Sequence, residues 1–227
     1  MPDRSSPNPV WAAAHVERAA LADDLAGLTD EQWVVPSLCE GWRVEDVVAH
    51  MTASASIGRA RWFASVLGAR FDFDLHNQRR LIEHRGVTPA ETLARFRGVI
   101  NSTVSAPGPA AAWLGEVVVH SEDIRRPLGI SRTVPIETVT TVAEFYASRN
   151  LAVPSHTRVT GLRIEATDGP FAAGDGPLVR GRTLALVMAM AGRASFCDEL
   201  TGPGTAALRG RAPNDHSKPR RFDPPWV

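Results

Sequence analysis

Residues Ala110–Gly129 read AAAWLGEVVVHSEDIRRPLG. The stretch reads as one helix that carries Glu116 and His120. At about 3.6 residues per turn, positions i and i+4 lie on one face, one turn apart. A carboxylate and an imidazole are therefore offered to the same point in space. A second helix upstream, within GWRVEDVVAHM, carries His50. Two imidazoles and one carboxylate can hold a divalent metal and leave a coordination position open, the ligand count of a catalytic zinc site rather than a closed structural one. The sequence thus predicts that His50, Glu116 and His120 bind one metal inside a helical bundle. An E-x3-H pair alone also fits a surface helix pair or a buried histidine with a satisfied partner, so the expectation rests on its surroundings.

Upstream, the first helix is expected in VWAAAHVERAALADDLAGL, with apolar residues at Val10, Ala14, Leu21, Leu25 and Leu28. His15 lies here and is given no functional role. Thr29-Asp30-Glu31 caps a short turn. Pro36 to Trp42 is a loop, with Gly41 at a tight turn and Trp42 burying its ring. The second long helix is expected over RVEDVVAHMTASASIGRARWFASVL, residues 43–67. Its stripe of Val44, Val47, Val48 and Met51 faces the core, and His50 borders that stripe. An inward imidazole needs a partner: a backbone carbonyl, a carboxylate or a metal.

Asp72 to Arg85 is charged and expected to be helical. It contains His76, His84, Arg79 and Arg80, the arginines either solvated or holding a carboxylate at the bundle mouth. Thr88-Pro89-Ala90-Glu91 has capping-box spacing with Pro at the first helical position. It opens a third helix, ETLARFRGVINSTVSA, ended by Pro107-Gly108-Pro109. Four amphipathic segments before residue 130 predict a helical bundle, the kind of fold that builds metal sites from facing helices.

Downstream, Pro135 opens a helix over ETVTTVAEFYASRNLAV. Leu162 to Thr167 alternates apolar and polar as a half-buried strand does. Phe171 to Gly176 is a second expected strand, Arg182 to Arg193 a buried helix, and AALRG (206–210) a last strand. The fold class is α+β, mainly α: a four-helix bundle over residues 1–150, a small α+β domain over 151–211, and a flexible tail over 212–227.

Formal net charge is zero, so bulk charge favours neither nucleic acid nor a membrane surface. No apolar run approaches the ~20 residues of a membrane helix, and MPDRSSPNPV lacks the apolar core of a signal peptide. A cytoplasmic protein is expected. Cys39 and Cys197 are the only cysteines and form no CxxC pair.

Trp33 to His50, WVVPSLCEGWRVEDVVAH, resembles the metal-binding N-terminal domain of the mycothiol-dependent maleylpyruvate isomerase family, which belongs to the DinB-like four-helix bundles. Glu116 to Gly129 is similar to that family's second metal motif. GLRIEATDGPFAAGDGPLVRGRTLALVMAMAGR, followed by DELTGPGTAALRG, resembles its small C-terminal domain. The resemblance implies a zinc site at His50, Glu116 and His120 whose open position takes the thiol of mycothiol. It also implies two arginines for an acidic substrate, matched by position to Arg80 and Arg193, with Arg79 and Arg182 as near neighbours. Family members often have a neutral residue where this chain has Glu122. Asp123 is read as an acceptor behind His120 or as a helix-end ion partner, and Cys39 as a buried, structural loop residue.

The function so implied is a zinc- and mycothiol-dependent isomerase or S-transferase acting on a small electrophilic, carboxylate-bearing substrate. The partners expected are that substrate and a low-molecular-weight thiol, with no nucleic acid and no membrane, in a monomer or homodimer. The alternative is a non-catalytic metal-binding or regulatory protein of the same fold. A structural helical domain with core histidines accounts least well for the two motifs occurring together.

Overall fold

The computed structural model describes residues 8–58, 80–151 and 153–212. The second helix expected over residues 43–67 ends earlier, at Ser54, and residues 55–58 leave it as turn and coil; residues 59–79, with His76 and Arg79, and the terminal segments lie outside the described residues. The chain divides into two compact units, Met1–Ser131 and Arg132–Val227.

In the first unit α1 spans Pro9–Ala26, with Pro9 at its start and the Asn8 side chain accepting from Val10 N. That arrangement satisfies one of the donors every helix start leaves open. A short helix α2, Asp30–Trp33, follows, then α3, Val44–Ser54. Arg43 N–H donates to Asp46 Oδ2 at 3.0 Å and closes the α3 start. Residues 80–84 are helical. The next helix, α4, covers Pro89–Arg97, with Thr88 as the predicted cap accepting from Glu91 N. It is shorter than expected: Gly98 has the lowest helix propensity short of proline, and residues 98–101 continue as turns. The long helix α5, Ala110–Leu128, matches the stretch that opened the sequence reading.

Leu21, Leu25, Trp33, Val44, Val47, Val48, Phe96 and Ile124 form one core in this unit. The predicted α3 stripe is buried in it. Helix α5 ends at Gly129, whose φ of 67° lies in the left-handed region. Ile130 N–H reaches back to Arg125 O there, the six-to-one bond of a Schellman closure.

In the second unit α6, Ile136–Ser148, and α7, Ser155–Val159, pack with a buried helix α8, Thr183–Met190. Helix α6 was assigned to the first domain from sequence; it packs on α8 instead, so the division falls at residue 131. The sheet has strands β1 (Arg163–Ala166), β2 (Ala172–Ala173) and β3 (Leu178–Gly181), in the order β2-β1-β3. The first pair is antiparallel and the second parallel, with Ile164 opposite both Ala173 and Val179.

The segment expected to be a last strand is instead helix α9, Thr205–Gly210. Its Ala-Ala-Leu-Arg run favours helix, and Arg209 pairs with Asp198 at 2.6 Å on the preceding 3₁₀ turn, Ala194–Glu199. No helix among the described residues is long and apolar enough to cross a membrane.

Candidate metal centre

Helices α3 and α5 pack together, and this brings His50 and Glu116 face to face. His50 Nε2 lies 3.7 Å from Glu116 Oε1. The His120 ring meets the His50 ring edge-on, with centroids 5.1 Å apart. The side chains of His50, Glu116 and His120 are each 16% exposed. That is enough burial to fix an orientation and enough access to admit a ligand. The Trp42 ring tilts against His50 with centroids 5.0 Å apart, so its packing also sets the angle of that imidazole.

Behind His120 stands Asp123, fully buried, with Oδ2 3.0 Å from Nδ1 of the imidazole. Of the two sequence readings of Asp123, the acceptor behind His120 is the one the geometry matches. A carboxylate on one ring nitrogen fixes the tautomer and leaves the other nitrogen to face a metal.

Cys39 corrects the sequence reading of a buried, merely structural cysteine. It is half-buried, and its Sγ lies 3.1 Å from Asp123 Oδ2 and 3.5 Å from His120 Nδ1. Among the described residues, Cys39, His120 and Asp123 are a group whose donor atoms all lie within 4.8 Å of one another. His120 thus belongs both to the predicted ligand set and to this tighter cluster. The signal in the sequence was position: Cys39 shares the Trp33–His50 motif with a predicted ligand.

The loop that delivers Cys39 is fixed by its own backbone. Gly41 adopts φ 75°, a conformation costly for other residues. Ser37 Oγ donates to Trp42 O at 2.8 Å and accepts from Cys39 N at 3.1 Å. Leu38 N donates to Asp123 O at 3.1 Å, which docks the loop on α5.

Burial works against a charge on His120, but the Cys39 sulfur and the Asp123 carboxylate outweigh it and hold the pKa at about 10. An ion arriving there displaces a proton from the imidazole, so occupancy is linked to pH. The donor chemistry suits a divalent ion: two imidazoles, a carboxylate, and a thiol alongside.

Glu122, one residue before Asp123, is buried rather than an outward surface charge. Burial pushes its pKa up, and Arg125 and Arg126 work against that. Arg125 is fully buried and donates from Nε to Asp24 Oδ2 at 2.7 Å, tying α5 to α1. His15, given no role from sequence, lies with its Nε2 3.3 Å from Ser102 O.

The two arginines implied for the substrate lie in different units. Arg80 is buried, with Nη1 2.8 Å from Glu83 Oε2. Arg193 precedes the 3₁₀ turn and donates to Ala191 O at 3.0 Å. Arg182 is exposed and pairs with Asp168.

The mycothiol maleylpyruvate isomerase N-terminal domain family matches residues 14–125, a range that holds His50, Glu116, His120 and Asp123. No curated protein matches the chain. Among solved structures, the chain resembles the mycothiol-dependent maleylpyruvate isomerase, with TM-score 0.60, 15% identity, and coverage of 87% of this chain and 92% of that one. It resembles equally a histidine-to-alanine mutant of the mycothiol-dependent maleylpyruvate isomerase, with TM-score 0.60, 14% identity and the same coverage. At such identity these likenesses establish the fold, here a mainly helical chain with a small three-stranded sheet. Residues 14–125 thus belong to the mycothiol maleylpyruvate isomerase N-terminal domain family.

Proposed function

We propose that the chain is a zinc-dependent isomerase or S-transferase that uses a low-molecular-weight thiol, mycothiol, on a small electrophilic, carboxylate-bearing substrate. The observation that carries this reading is the approach of His50 and Glu116 to 3.7 Å with the His120 ring beside them. His50, Glu116 and His120 would hold the ion. A divalent ion so held supplies the charge that keeps a coordinated thiol deprotonated at neutral pH.

The chain's own residues do the remainder. Asp123 orients His120 through Nδ1, and Trp42 packs the His50 ring. Arg80, in the same unit as these residues, would supply positive charge to the substrate carboxylate. A thiolate adds to an electrophilic carbon more readily than a thiol. Addition followed by elimination gives isomerisation, and addition with loss of a leaving group gives S-transfer.

Cobalt in place of zinc tests the reading. Mycothiol added to the cobalt-loaded protein should produce a sulfur-to-cobalt charge-transfer band, absent in Glu116→Ala. Bound cobalt with an unchanged spectrum on adding thiol would refute thiol coordination.

A further inference from the structure

Beside Glu116 lies a recess bordered by Arg18, Ser54, Ser105, Trp113 and Glu116, with Met51 on its apolar wall. Arg18 comes from α1 and is only 4% exposed. Its Nη1 donates to Ser102 O at 2.8 Å and also reaches Val99 O. Those contacts fix the guanidinium, and the Glu116 carboxylate at the edge of the recess acts on its charge. Among the described residues its buried Nε has no hydrogen-bond partner, nor does the buried indole N–H of Trp113.

Buried donors are nearly always satisfied. Two unsatisfied donors bordering one recess mark the place of an acceptor that comes from elsewhere. Burial pulls the Arg18 pKa below its usual value, and the Glu116 charge only partly opposes this. A water molecule would satisfy an N–H but would not balance the guanidinium once a metal ion engages Glu116. A planar carboxylate does both, since its two oxygens match the donors of a guanidinium and leave lone pairs for an indole N–H and hydroxyls.

We propose that this recess is a subsite for a carboxylate group, with Arg18 and the Trp113 N–H as its donors and Ser54 and Ser105 as its hydroxyl rim. The proposal adds Arg18 and Trp113 to the carboxylate contacts of the reaction suggested above. It rests on that reading in one respect: an ion on Glu116 offsets the negative charge at the edge of the recess.

The test is calorimetric titration of the zinc-loaded protein with maleate, with its neutral diamide as control, and zinc content measured on every sample. Wild type should bind maleate and not the diamide. Arg18→Gln should weaken maleate about tenfold or more, and Trp113→Phe, which removes only the N–H, several-fold, both with wild-type zinc content. If Arg18→Gln misfolds, Trp113→Phe decides. Full maleate affinity in a zinc-loaded Trp113→Phe or Arg18→Gln protein overturns the subsite, as does a zinc-loaded wild type that binds no maleate. If wild type takes up no zinc, the metal reading fails separately. The subsite is then judged in the Glu116→Gln protein, where Arg18-dependent maleate binding supports it and its absence overturns it.

Discussion

The carbonyl of Asp123 accepts the backbone N–H of Leu38 at 3.1 Å, a contact between the middle of α5 and a loop 85 residues earlier in the chain. Pro127 is the reason the carbonyl is free. It stands four residues after Asp123, inside the last turn of α5, where any other residue would donate its N–H back to Asp123. The loop takes the vacant acceptor, and the next residue, Cys39, is thereby set against the Asp123 carboxylate at 3.1 Å. Replacing Pro127 with Ala supplies a competing helical donor. The Leu38 amide should then exchange with solvent faster, while amides in the middle of α1 stay unchanged. Hydrogen exchange followed by mass spectrometry reads this; unchanged protection at Leu38 would contradict it.

Asp123 is expected to control metal affinity without being a predicted ligand. Carboxylates that fix a ligating histidine are typically worth about 10–100-fold in affinity. Asp123→Ala should weaken zinc by roughly that factor, and Asp123→Asn by less, because the amide oxygen can still accept from Nδ1. Competition against a chromophoric chelator measures it, and equal affinity in all three proteins would be inconsistent with the role.

The Arg125–Asp24 pair links α5 to α1 with the guanidinium fully buried. Removing one partner of a buried pair leaves the other charge uncompensated, at about 3–5 kcal/mol. Because Asp24 keeps some exposure, Arg125→Ala should fall at the lower end of that range. Arg125→Met, which restores apolar volume, should lose less. Urea unfolding of both variants checks the order; equal losses would mean that the volume Met restores contributes nothing.

In the second unit, Asp168 Oδ1 accepts from both the backbone N–H of Thr183, at 2.8 Å, and its hydroxyl, at 2.6 Å, at the start of α8. Partial burial alone would raise the Asp168 pKa, but the Thr183 and Arg182 hydrogen bonds overcome it and hold the carboxyl below its usual range. A depressed carboxyl adds stability above its unfolded pKa, and that contribution disappears as pH falls through the lower folded value. Asp168→Ala should therefore cost about 1 kcal/mol near neutrality, as helix-cap losses do. The gap to wild type should close in acid. Thermal unfolding at several pH values reads it, and a gap independent of pH would count against the assignment.

The features legible in the sequence were those set by local pattern. The Val44, Val47, Val48 and Met51 stripe, the Thr88 cap and the α5 stretch all appear where spacing put them. The i, i+4 relation of Glu116 and His120 is a property of any helix. What escaped depended on distant partners. Cys39 reads as a loop residue until Pro127 frees the acceptor that docks its loop. AALRG is too short for periodicity to separate strand from helix. Strand β3 has four residues and is defined by parallel pairing with β1. Helix α6 has an amphipathic pattern that suits either unit, and only its packing on α8 places it.

The most direct measurement is zinc content of the purified wild-type protein beside His50→Ala, Glu116→Ala and His120→Ala, with folding checked by circular dichroism. The account predicts about one zinc per wild-type chain and a clear loss in each folded variant. Wild type without zinc after zinc is supplied, or folded variants that retain it, would contradict the metal centre.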